Sequence, residues 1–259
     1  MKLPRRTLLS GSAAALAAAS SLARAQAPTS SEPWTIPAAP TGSPADELRI
    51  HTDWAQLQQY RADDARVRAL PAAERRVVFL GDSITRGWMV FHPDFFTGNG
   101  YIDRGISGQT TPQMLVRFRQ DVIQLAPEAV HLMGGTNDIA ENTGPFDVEA
   151  TKNNLMSMVE LARTHRIRIV LGAIPPAAAF PWRSVSDPVA KIRALNEWIR
   201  AYANQNGFAF ADYVTLLGDG TGAMKPGLSY DGVHPTRAGY LAMESIATAA
   251  IDEALARNG

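Results

Sequence analysis

From residue 76 onward, short uninterrupted apolar runs alternate with longer stretches in which apolar residues recur every three or four positions. Arg76-Val77-Val78-Phe79-Leu80, closed by Gly81, is the first run. Residues 101–104 form a weaker second, 129–133 a third, 167–174 a fourth and 208–213 a fifth. Such runs, lacking polar alternation, predict strands covered on both faces. Between them lie helical patterns. Thr111 as N-cap and Pro112 at the first helical position lead into Leu115, Phe118, Val122 and Leu125 at three- and four-residue steps. Asp187-Pro188 opens a helix with Ile192, Leu195, Ile199 and Tyr202 on one face, and Gly207 suits its end. Residues 148–165 and 236–257 are two further long helices. Upstream, Trp54, Leu57 and Tyr60 predict a helix over 53–69, stopped by Pro71. Strand–helix alternation of this kind predicts an α/β fold, a three-layer αβα sandwich with a five-stranded parallel sheet covered on both faces, for which the flavodoxin-like order 2-1-3-4-5 is the expected arrangement.

The first residues read as an address. Lys2, Arg5 and Arg6 precede an Ala/Leu/Ser-rich stretch, and Ala23-Arg24-Ala25 is a small-x-small cleavage site, so residues 1–25 are expected to be a signal peptide. Arg5-Arg6 followed by Thr7-Leu8-Leu9 resembles a twin-arginine signal, and the expected destination is periplasmic or extracellular. A stable membrane anchor is not expected, because the apolar stretch is Ala-rich and barely reaches the ~20 residues a span needs. The chain has no cysteine, which removes both disulfides and thiol-linked lipid. Residues 26–44, rich in Pro and Ser, read as a linker or arm, leaving 45–259 as one domain. Without residues 1–25 the chain carries 21 basic and 25 acidic groups. That weak acidity argues against a nucleic-acid partner.

In an open parallel sheet, ligands bind beyond the carboxyl ends of the strands. Ser83, Gly108 and Asn137 each sit just past the end of a different predicted strand, in Gly81-Asp82-Ser83-Ile84, Gly105-Ile106-Ser107-Gly108 and Gly134-Gly135-Thr136-Asn137-Asp138. The order 2-1-3 would make those strands neighbours. A serine hydroxyl needs a base within about 2.6–3.2 Å to act as a nucleophile. His234 is the candidate base, and Asp231, three residues earlier, can reach its other ring nitrogen across a tight turn. The amides of Gly108 and Ser83 and the Asn137 side chain are candidate donors to an oxyanion. Asp82 and Asp138 read as carboxylates that hold loop amides, not as metal ligands, and no cofactor is expected. His51, His92, His131 and His165 have no ligand spacing and read as structural or exposed. Trp88, Phe95, Phe96, Phe180 and Trp182 follow strands one and four, where they either line the cleft or pack the loops.

Gly81-Asp82-Ser83, Gly108, Asn137 and Asp231-x-x-His234, in this order and strand context, resemble the SGNH (GDSL-type) hydrolase superfamily. The stretch Gly105-Ile106-Ser107-Gly108-Gln109-Thr110-Thr111 is similar to the branch containing platelet-activating-factor acetylhydrolase subunits and bacterial acetylesterases. The resemblance spans roughly residue 75 to the end, with Ile84 where the namesake motif has leucine. It implies a serine esterase acting on short acyl esters, acetyl above all, of small molecules or polysaccharides. It implies Ser83 as nucleophile, Asp231 and His234 as its triad partners, and Ser83, Gly108 and Asn137 as the oxyanion hole. An acyltransferase using the same triad and a non-catalytic flavodoxin-like binding protein remain the alternatives, and the oligomeric state stays open.

Overall fold

The computed structural model describes residues 44–257. The expected signal peptide and most of the Pro/Ser-rich segment therefore lie outside the described residues. Five parallel strands form one sheet: β1 (Val77–Gly81), β2 (Tyr101–Gly105), β3 (Ala129–Leu132), β4 (Arg168–Gly172) and β5 (Ala209–Ala211). Their order is β2-β1-β3-β4-β5, the flavodoxin-like order expected. The helices, in chain order, are α1 (Pro44–Asp53), α2 (Arg61–Arg68), α3 (Ser83–Phe91), α4 (Pro93–Asn99), α5 (Thr111–Asp121), α6 (Thr136–Ile139), α7 (Val148–Thr164), α8 (Pro188–Asn206), α9 (Tyr213–Leu217) and α10 (Arg237–Ala256). Helices α5, α7 and α8 cover one face of the sheet, and α3, α4 and α10 the other. Two-sided cover is the reason β1 to β3 are buried throughout and read as unbroken apolar runs.

Phe79 is the centre of the core on the α3/α10 face. Its ring lies 4.5 Å from His131 in a stacked pair, and 5.6 and 5.2 Å from Trp88 and Phe96 edge-on. Trp88 in turn stacks on Phe95 at 5.1 Å and on Tyr240 of α10 at 5.8 Å. Offset and edge-to-face pairs of this sort add about 0.5–1.5 kcal/mol each beyond burial. Trp88, Phe95 and Phe96 are therefore core residues and do not line a cleft. His131 is structural: buried under this cluster, it shares a 2.7 Å hydrogen bond with the Tyr213 hydroxyl, and burial pushes its pKa down to about 3.

Two expectations change. Of the helix predicted over 53–69 only α2, Arg61–Arg68, forms as a helix: α1 already ends at Asp53, and 54–60 is irregular. The Asp53 carboxylate accepts the Leu57 and Gln58 amides at 2.8 and 3.0 Å, which ends the α1 ladder, and Gln56 adopts φ 55°. Three glutamine side chains then donate to carbonyls of the break: Gln113 to Trp54, Gln109 to Ala55 and Gln120 to Leu57, at 2.8, 2.9 and 2.8 Å. Long-range amide partners replace the intrahelical ones, and no local periodicity reports them. Helix α5 is capped by Thr110 and not by Thr111, with the Thr110 amide donating to the Gln113 side chain at 3.0 Å. The Thr111 hydroxyl is committed elsewhere, to Asp138 at 2.5 Å.

Arg117 of α5 is fully buried and ties these parts together. Its guanidinium donates to Asp121 at 2.9 Å, to the Gln109 side chain at 2.6 Å and to the Gly81 carbonyl at 2.9 Å. Substituting Arg117→Met leaves Asp121 as an uncompensated buried carboxylate, which is expected to cost about 3–5 kcal/mol in urea unfolding. Breaking the exposed Arg66–Asp63 pair by Arg66→Ala is expected to cost no more than about 1 kcal/mol. Equal losses in the two variants would contradict the assigned role of Arg117.

Candidate active site

Strand β1 ends at Gly81, and α3 begins two residues later with Ser83. Asp82 caps that helix, its carboxylate accepting the Ile84 amide at 2.9 Å. Burial pushes the Asp82 carboxyl up to about 6 against the opposing pull of that amide. The cap holds the Ser83 hydroxyl at the carboxyl edge of the sheet, nearly buried, with the positive end of α3 beneath it.

The imidazole arrives from the other end of the chain. Residues 229–235 form a tight turn closed by the Ser229–Pro235 bridge. Ser229 Oγ accepts the Gly232 amide at 2.8 Å and donates to the His234 carbonyl at 3.0 Å. Gly232 takes φ 89°, a left-handed conformation that side-chain-bearing residues resist. The turn folds Asp231 back onto His234. Asp231 Oδ1 accepts the Val233 and His234 amides at 2.9 and 2.8 Å, and Oδ2 accepts from His234 Nδ1 at 2.8 Å. Half-burial pushes the Asp231 carboxyl up, yet the His234 ring and the two amides outweigh it and hold the pKa at about 2. With Nδ1 engaged by a carboxylate, Nε2 is the acceptor, and it lies 2.8 Å from Ser83 Oγ.

Gly108, in the loop after β2, adopts φ 77°, and a Cβ there would meet only Asn142 Nδ2, at 3.9 Å. The backbone is therefore left-handed and its approach to the site open. Asn137, on α6 after β3, is buried and donates one Nδ2 hydrogen to the Gln109 carbonyl at 3.0 Å. Its second amide hydrogen has no acceptor among the described residues. All five sequence-predicted site residues thus come from the carboxyl edge or the tail turn that packs on it.

Asp138 does what the sequence suggests for it. It accepts the Thr111 amide at 3.0 Å as well as the hydroxyl, locking the loop after β3 to the start of α5. Among the described residues no group of three or more His, Asp or Glu could hold a metal ion. His92 pairs with Glu244, and His51 and His165 are exposed.

Sequence reasoning missed Asn142. One turn of α6 returns the chain so that the Asn142 amide donates to the Asn137 carbonyl at 3.0 Å. Its side chain donates to Asn137 Oδ1 at 2.8 Å and to the Gly108 carbonyl at 3.3 Å, and accepts from Trp182 Nε1 at 3.0 Å. The available signal was an asparagine five residues after another, across a helix of four residues. Of the five aromatics noted beforehand, Trp182 alone reaches the site, its ring 5.6 Å from that of His234, while Phe180 is buried against it at 5.5 Å. Cavities of about 640 and 590 Å³ lie elsewhere, and neither is lined by Ser83, Asp231 or His234.

Comparison with known proteins agrees with this architecture. The GDSL-like lipase/acylhydrolase family matches residues 79–242, which contain Ser83, Gly108, Asn137, Asn142, Trp182, Asp231 and His234. A GDSL-like lipase from Bacteroides thetaiotaomicron is 45% identical, with a TM-score of 0.75, covering 78% of this chain and 100% of that one. Among curated relatives, an acetylxylan esterase of Geobacillus stearothermophilus is 25% identical over 54% of this chain and 66% of its own length. The uncharacterised lipoprotein YqeF of Bacillus subtilis is 32% identical over 37% of this chain and 46% of its own. The chain therefore spans about half to two thirds of the curated relatives it matches. With a family match over most of the sequence and the fold of a solved relative, this chain belongs to the GDSL-like lipase/acylhydrolase family of ester hydrolases.

Proposed function

We propose that this chain is an exported serine esterase that removes short acyl groups, acetyl above all, from carbohydrate esters through an acyl-enzyme on Ser83. The observation that supports it is the unbroken line of 2.8 Å contacts from Ser83 Oγ through His234 to Asp231. His234 Nε2 removes the Ser83 proton as Oγ attacks the acyl carbonyl, and Asp231 holds the ring and stabilises the imidazolium that forms. The carbonyl oxygen becomes negative and is met by the Gly108 and Ser83 amides and the uncommitted hydrogen of Asn137. Collapse expels the sugar hydroxyl, which takes the proton from Nε2. Water then repeats the sequence on the acyl-enzyme, restoring Ser83 and releasing the acid.

Substrate class rests on two supports. The Geobacillus relative is an acetylxylan esterase. Trp182 stands beside His234, where an aromatic face suits a sugar ring. Export rests on the basic, Ala-rich start with its Ala23-Arg24-Ala25 site and on the likeness to a lipoprotein. Among the described residues no helix is long and apolar enough to cross a membrane.

Replacing Ser83 by alanine is expected to abolish hydrolysis of p-nitrophenyl acetate with an unchanged circular dichroism spectrum; retained turnover refutes the reading. In the wild type, kcat/KM falls on the acid side, because an imidazolium has no lone pair at Nε2. A flat acid limb would remove His234 from the role of base. Asp231→Asn presents a donor where Nδ1 needs an acceptor and is expected to lower kcat by about 10³–10⁴. The same variant has a stability signature. The folded pKa of Asp231, about 2, lies below its ordinary 3.8, so the carboxylate stabilises the fold above pH ~4 and loses that contribution as pH falls through 2. Denaturant unfolding should therefore show the wild-type advantage over Asp231→Asn shrinking across that acid window. An advantage independent of pH would contradict the hydrogen bonding described.

A further inference from the structure

Resting on the esterase reading, we infer that Asn142 is a positioning residue for the oxyanion hole and that Trp182 acts on turnover through it. Asn137 has two amide hydrogens and one carbonyl oxygen, and its orientation decides whether a hydrogen or the oxygen faces the acyl carbonyl. Asn142 Nδ2 occupies the Asn137 Oδ1 at 2.8 Å, which prevents the amide from flipping. The Gln109 carbonyl takes one hydrogen on the other side. Only the second hydrogen is left to point into the site.

The same Nδ2 reaches the carbonyl of Gly108, so one side-chain amide touches both loops that carry the donors following β2 and β3. Both hydrogens of Asn142 Nδ2 are then spent, and its orientation is decided by what occupies its own oxygen. That group is the Trp182 indole N–H at 3.0 Å. Trp182 sits in the turn after β4, closed by the Arg183 amide on the Phe180 carbonyl at 3.1 Å. The chain of bonds Trp182–Asn142–Asn137 therefore connects the loop beside His234 to the Asn137 donor. Asn142 is nearly buried, and a dry environment makes each of these dipoles count for more.

The test is a double-mutant cycle on the full chain with p-nitrophenyl acetate, using Asn142→Ala, Trp182→Phe and the pair. Trp182→Phe keeps a ring beside His234 and removes only the indole donor. Misplacing a transition-state donor lowers kcat by about 10- to 100-fold while KM stays within about threefold. Asn142→Ala is expected to show that split, and Trp182→Phe a smaller loss of the same kind. Because both act on one donor, the pair should be no slower than Asn142→Ala alone. Inhibition by methylboronic acid, whose adduct on Ser83 places an oxygen in the hole, should weaken in parallel with kcat. A normal kcat in Asn142→Ala, or multiplicative losses in the pair, overturns the inference. A Trp182→Phe effect confined to KM overturns it too, and shows Trp182 to be a substrate platform only; this arm decides even if Asn142→Ala does not fold. Failure of the esterase reading is distinguishable, because then the wild type and Ser83→Ala are equally inert.

Discussion

A single buried guanidinium holds the carboxyl edge of this sheet together. Arg117 reaches the last carbonyl of β1, the Gln109 side chain in the loop after β2, and Asp121 on its own helix. Gln109 passes the constraint on in two directions: its side chain holds the Ala55 carbonyl, and its backbone carbonyl orients Asn137. The loops that carry Ser83, Gly108 and Asn137 are thus cross-tied through groups with no access to water. Such a network is costly when half satisfied, and rigid when complete. Rigidity matters because donors to a developing charge are effective only if they need not reorganise when it appears.

Against this fixed edge the tail delivers its imidazole. The Ser83–His234 contact joins residues 151 positions apart, and no strand carries the second of them. Its precision comes from the turn at 229–235, in which the Asp231 carboxylate accepts three N–H groups at once. The same three bonds that shape the turn keep that carboxyl ionised far below neutral pH. Local folding and electrostatic function are here one set of interactions. Helix α10, capped by Thr236 immediately after the turn, anchors it by packing Tyr240 on Trp88 and donating the Tyr240 hydroxyl to the Ile84 carbonyl at 2.9 Å.

Much of this was legible from residue order. The five strands were visible because burial on both faces leaves an unbroken apolar run, and helical connections make them parallel; their order is one of several such connections allow, and the expected one is the one found. The start of α8 was legible because Asp187 bonds an amide three residues away and proline follows it. What escaped notice depends on partners distant in sequence. The break after Asp53 is made by three glutamines more than fifty residues downstream, so Trp54, Leu57 and Tyr60 mimic one continuous helix. Trp88, Phe95 and Phe96 follow a strand end, which suggested a cleft, but α3 and α4 turn these rings down onto Phe79. Asn142 has no distinguishing neighbourhood at all; its importance lies in touching Trp182 forty residues later.

The central claim is that acyl groups pass through the Ser83 oxygen at this edge. Its most direct test is to mix the protein with p-nitrophenyl acetate, quench in acid within the first turnover, and map the modification by peptide mass spectrometry. The account predicts one acetyl group, on the peptide containing Ser83 and at that residue. An acetyl group held on a different side chain, with Ser83 unmodified while product is released, would contradict it.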